Sequence, residues 1–180
     1  MKTIRNAARS TNRAVGASFF AVTTLLGITA CSSLDTQYKI PRSLCGANVP
    51  QSVLESALPK GEKLTEHPES SGSTKRCRIH VDGKSVLSVS TERWEVETTA
   101  SDVAQSALGV DPQDRRSNEG RYIYSSTGAV GKIDCTKANA VRAPMWATVR
   151  VTHHEATGAD MLKLIRAYVK AVGFSPECSQ

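Results

Sequence analysis

The sequence predicts an α+β domain: an antiparallel sheet of five to six strands with helices packed on one side, built on a helix-plus-strands unit that shows signs of duplication. Three observations carry the prediction. Residues 76–81 and 85–94 alternate apolar and polar positions, the two-residue period of a strand with one buried face. An Asp82-Gly83 pair between them marks a hairpin, which makes these strands antiparallel. Three other segments repeat apolar residues at three- and four-residue spacing, the period of an amphipathic helix.

Taken in order, the first helix candidate has Asn48 as a cap, Pro50 in its first turn, apolar Val53, Leu54, Ala57 and Leu58, and Pro59 as a stop. A polar turn follows. Arg76 to Val81 then reads as a strand with Cys77, Ile79 and Val81 on one face, and Ser85 to Trp94 as its hairpin partner. Placing Leu87 and Val89 inside favours a three-residue loop, Asp82 to Lys84. A second helix candidate, Ser101 to Leu108, presents Val103, Ala104, Ala107 and Leu108; its DVAQSALG matches SVLESALP fifty residues earlier. Each helix precedes a polar stretch, a strand bearing a cysteine (Cys77, Cys135) and a strand bearing a tryptophan (Trp94, Trp146), which is the basis for the duplicated unit. The strongest signal is the last helix. Met161, Leu164, Ile165, Tyr168, Val169 and Val172 form one stripe, Thr157 and Asp160 a capping box, and Gly173 the stop.

The first thirty residues read differently. Lys2, Arg5, Arg9 and Arg13 are followed by SFFAVTTLLGITA, thirteen uncharged and largely apolar residues, too short to span a bilayer as a helix. Ile28-Thr29-Ala30-Cys31 resembles a bacterial lipobox. The resemblance implies removal of residues 1–30 and a lipid on Cys31, with 31–40 as a tether and 41–180 as one extracytoplasmic domain. The general secretory route is expected, because the leader has no arginine pair. Losing the four leader cations leaves 19 basic against 17 acidic residues, +2 in place of +6. A nucleic-acid role thereby loses its electrostatic support, and none is expected.

An exported chain with four further cysteines, Cys45, Cys77, Cys135 and Cys178, is expected to hold two disulfides. Three pairings are open. Cys45–Cys77 with Cys135–Cys178 is preferred, since each then ties a helix-flanking segment to a nearby strand. No CxxC pair occurs and the spacings match no zinc module, so no metal is expected.

There is no GxSxG turn, no uncommitted cysteine, no GxxxxGK[ST], no HExxH and no calcium loop. No catalytic residue or cofactor is predicted. His153 and His154 end an expected strand from Ala147, where neighbours point to opposite faces and do not share a metal. Asp111 to Arg121, DPQDRRSNEGR, reads as a solvated linker rather than a binding loop. Trp94 and Trp146 read as core residues before groove-lining ones.

The lipobox, the short tether, PRSLCGANVP, KRCRIHVDGK and the closing AYVKAVGFSPEC together resemble the small cell-surface lipoproteins of actinobacteria, a group mostly of unknown function. The resemblance implies two structural disulfides and an extracytoplasmic location at the cell membrane. It transfers no catalytic residue. The expectation is a membrane-anchored, non-enzymatic binding or sensor module, with a small envelope enzyme or a structural envelope component as alternatives. Ser32 to Lys39 spans at most about 28 Å, so partners are expected near the bilayer: membrane lipid through Cys31, and a membrane protein or envelope material.

Overall fold

Asp82 and Gly83 set the geometry on which the sheet is built. Both have positive φ, 52° and 79°, as a two-residue type I′ turn requires, and glycine adopts this conformation without steric cost. In the computed structural model, which describes residues 36–135, 143–154 and 156–179, this turn joins β2 (Thr74–Val81) to β3 (Lys84–Arg93). The leader, Cys31 and residues 32–35 of the tether lie outside the described residues. Val81 pairs with Lys84 and His80 with Ser85, yet Ile79 pairs with Leu87. Val86 is therefore an extra residue, a β-bulge. The one-position shift that buries Leu87 and Val89 was expected in a three-residue loop; the chain makes it in the bulge instead. Asp82 also fixes what precedes the sheet, its carboxylate accepting from the backbone N–H groups of Glu62 and Lys63.

The remaining strands are β1 (Leu64–Ser71), β4 (Arg115–Arg116), β5 (Tyr122–Tyr124), β6 (Gly128–Ile133) and β7 (Met145–Val151). They form one antiparallel sheet in the order β1-β2-β3-β7-β6-β5-β4. Seven strands replace the five or six expected, because both edges are too polar to read as strands. β1 is LTEHPESS, with Leu64 its only aliphatic residue, and Pro68 is tolerated where one side of the strand has no ladder to complete.

Helix α1 (Gln51–Ala57) starts after Pro50, not Asn48, and no side chain caps it. It stops where Leu58 turns extended ahead of Pro59, as a residue before proline does. Helix α2 (Ala100–Ser106) has a full capping box in which Thr99 and Asp102 satisfy each other's backbone N–H. Helix α3 (Gly158–Gly173) is capped by Thr157, and its six-residue stripe is buried as expected. Gly173 is not the stop. It is the last helical residue, Phe174 caps the helix in the right-handed region, and a Cβ on Gly173 would lie 2.6 Å from the carbonyl oxygen of Asp134. This glycine serves close packing of α3 on the end of β6.

Side-chain alternation assigns the layers. Met145, Ala147, Val149 and Val151 of β7 join α1 and α3 in the larger core, while Trp146 joins Val130, Ile123 and α2 in a second. Helix α2 thus lies on the sheet face opposite α1 and α3, so helices occupy both faces rather than one. The order β1-β2-β3 is echoed by β5-β6-β7 about the β3–β7 pair. A two-fold relating antiparallel neighbours runs perpendicular to the sheet and would leave α1 and α2 on one face; the repeat therefore does not extend to the helices. Two disulfides, Cys45–Cys77 and Cys135–Cys178, complete the domain in the preferred pairing.

Candidate functional site

A seven-residue helix cannot cover a seven-stranded sheet. Helix α2 packs over β5 and β6, and the same face across β2, β3 and β7 stays open. Because Leu87, Val89 and Thr91 are buried toward the larger core, Ser88, Ser90 and Glu92 point to the open side. Register then builds two rows across three strands: Arg78, Ser88 and Arg150 in one, Arg76, Ser90 and Thr148 in the next. These rows floor a cleft of about 340 Å³, walled by Ser106, Ala107 and Leu108 from the end of α2, with Trp94 at one end. Leu108 is 72% exposed, a large apolar side chain held in solvent at the rim.

The charges of the cleft are unevenly compensated. Arg78 is paired with Glu69 of β1, and the Glu92 carboxylate accepts from the Thr74 hydroxyl at 3.0 Å. The hydroxyls of Ser90 and Thr148 share a hydrogen bond of 2.6 Å. Arg76, exposed, and Arg150, half-buried with its stem against Gly109, have no ion-pair or hydrogen-bond partner among the described residues. With β3 between them, these two guanidinium groups are cations on one face that no described carboxylate pairs. Arginine donates hydrogen bonds and does not surrender its proton, and Glu92 is the only carboxylate lining the cleft. The lining residues of the cleft bring no acid and base together.

Other candidate positions resolve differently. β7 ends at Val151, short of the expected His154. His153 follows with φ of 63° and is exposed, while the His154 ring nitrogens lie 3.0 Å from the Thr152 carbonyl and 2.9 Å from the Ala57 carbonyl. That ring pins β7 to the end of α1, and carbonyls occupy both its nitrogens. Cys45, Cys77 and Glu66 place three ligand-type atoms within 4.8 Å of one another, but both sulfurs are in the disulfide. Glu66 accepts from the Cys45 backbone N–H at 3.1 Å, and its other oxygen is buried without a partner. In the DPQDRRSNEGR connection, Arg115 and Arg116 form β4, and Arg116 donates to Ser101 and to the Pro112 carbonyl, tying the segment to α2. A shallower hollow of about 280 Å³ beside α3 is lined by Arg121, Tyr122, Arg166 and Phe174, but Asp134 and Glu119 neutralise its arginines.

The two tryptophans divide. Trp146 is buried at 4% exposure with its indole N–H unpaired, whereas half-buried Trp94 lines the cleft. The cleft arginines were not singled out in the sequence, although alternation in KRCRIHV and ATVRV places them opposite the apolar residues. What brings them together is cross-strand register, which no single strand encodes. No described helix is long and apolar enough to cross a membrane.

Compared with known proteins, the chain matches no family model, no curated protein and no solved structure.

Proposed function

We propose that this chain is a lipid-anchored, extracytoplasmic binding module whose ligand occupies the cleft between the open half of the sheet and α2. The observation that carries the reading is the pair of uncompensated guanidinium groups, Arg76 and Arg150, on a concave face that the domain leaves uncovered. A concave face lined by one sign of charge concentrates ligands of the opposite sign, which is what supports the reading. The lipobox at Ile28 to Cys31 supplies the anchor and, with the short tether, keeps the cleft close to the bilayer. Two disulfides suit the oxidising side of that membrane.

The test is recovery from cells. Tagged wild type, Cys31→Ala and Arg150→Glu proteins are crosslinked in intact cells and purified, and associated protein, lipid and glycan are identified by mass spectrometry. Wild type is expected to carry a defined ligand that Arg150→Glu loses and that Cys31→Ala, displaced from the membrane, recovers poorly. Identical recovery with Arg150→Glu, or none with wild type, overturns the reading.

A further inference from the structure

Resting on the cleft as the binding site, the geometry points to a particular ligand chemistry: an oxyanion, phosphate or carboxylate, carried on a sugar or polyol. Arg76 and Arg150 stand on either side of β3, on β2 and β7. Arg78 is held aside by Glu69, which leaves two open guanidinium forks separated by the Ser88 and Ser90 positions. A planar fork matches the paired oxygens of a carboxylate or phosphate, and charge-assisted bonds of this kind are the strong ones. Arg76, Arg78 and Arg150 outnumber Glu92, the one carboxylate of the lining, and Glu69, which pairs Arg78, so the cleft is net cationic.

The rest of the lining speaks for hydroxyl groups on the same ligand. Ser88 on the floor and Ser106 on the wall have no hydrogen-bond partner among the described residues, and each hydroxyl both donates and accepts. Trp94 and Leu108 add apolar surface at the edge, where a sugar ring lays its C–H face against an aromatic. A volume of about 340 Å³ lies at the small end of ligand sites and suits one or two sugar rings rather than an extended polymer.

Trp94 makes the inference measurable, because it is the one of the chain's two tryptophans that lines the cleft, Trp146 being buried in the core cluster against which Trp94 packs. Full-length protein in detergent is titrated with glucose 6-phosphate, glucuronate, glucose and inorganic phosphate while tryptophan emission is followed. A saturable change is expected with glucose 6-phosphate, glucuronate or both; which of them responds separates phosphate from carboxylate. Glucose and inorganic phosphate are expected to bind at least about tenfold more weakly. Arg150→Gln and Arg76→Gln, the latter at an exposed position, are each expected to weaken binding about tenfold or more, and Trp94→Phe to remove most of the change. Silence with both charged sugars, or indifference to both arginine variants, overturns the inference. So does inorganic phosphate binding as tightly as glucose 6-phosphate. Tight glucose binding that ignores the arginines would overturn the oxyanion while leaving the cleft reading intact; that reading fails instead if Arg150→Glu leaves cellular recovery unchanged.

Discussion

Gly173→Ala reverses a usual sign. In most helices this change stabilises, by up to about 1 kcal/mol, because alanine is the better helix former. Here the added Cβ would sit 2.6 Å from the Asp134 carbonyl oxygen, with Ile133 Cγ2 at 3.9 Å behind it. Reaching an ordinary contact near 3.4 Å requires a displacement of about 0.8 Å. The obstacle is backbone at the end of β6 and cannot swing aside like a side chain. Nor can the two segments part freely, since Cys135, next to Asp134, is bonded to Cys178 just beyond the helix. Overpacking of this kind costs about 1–3 kcal/mol, which exceeds the propensity gain, so a net loss of about 1–2 kcal/mol is expected. For a domain of this size that is a fall in Tm of about 3–8 °C. Urea unfolding of Gly173→Ala measures it directly, and adding Cys135→Ala with Cys178→Ala should shrink the penalty by freeing one side of the contact. A Gly173→Ala protein as stable as wild type would refute the reasoning.

Four further expectations follow from the same structure. Removing the Cys45–Cys77 bridge by double alanine substitution should cost about 3.7 kcal/mol and removing Cys135–Cys178 about 4.0 kcal/mol, from separations of 32 and 43 residues; denaturant midpoints with and without reductant check both. Leu164→Ala empties a fully buried position of α3 and should cost about 2–5 kcal/mol in the same assay. Hydrogen bonds from Thr99 hold Asp102, and those from Thr157 then Lys163 hold Asp160, below the usual carboxyl range. Their stabilisation is present above the unfolded carboxyl pKa and is lost as pH falls through the lower folded values, so Thr157→Ala should cost about 1 kcal/mol at neutral pH and flatten the acid limb of a stability profile below about pH 4. Burial, and then Glu177, pushes the Tyr168 phenol upward; the unfolded chain ionises first, stability should fall above about pH 10, and Tyr168→Phe should blunt that fall in an alkaline titration followed by circular dichroism.

How much of this was legible in the sequence depended on what each feature rests on. The stripe of α3, the two bridges and the inward set of β2 and β3 are local or nearly so, and sequence reasoning found them. The β3 parity shift was detected but misplaced, because Asp82-Gly83 satisfies its own turn and Val86 shows no sign of being the extra residue. β1 and β4 escaped because edge strands need bury little, and LTEHPESS has no alternating apolar face. The side of the sheet that α2 covers follows from Trp146 and Val130 facing away from Ala147 and Ala129, a parity that emerges only once β6 and β7 are paired. Gly173 reads as a helix stop until Asp134 is placed beside it. The cleft suffered most, since its arginines come from two separate stretches, β2 and β7, and share a site only through register.

The most direct test of the cleft is a site-resolved crosslink in living cells. A photoreactive residue at exposed Ser106, on the wall of the cleft, is compared with one at exposed Lys163, on the solvent side of α3. A ligand adduct from position 106, absent at 163 and lost when Arg150→Glu is added, is the predicted result. Adducts of equal strength from both positions, or a position-106 adduct indifferent to Arg150→Glu, would contradict the account.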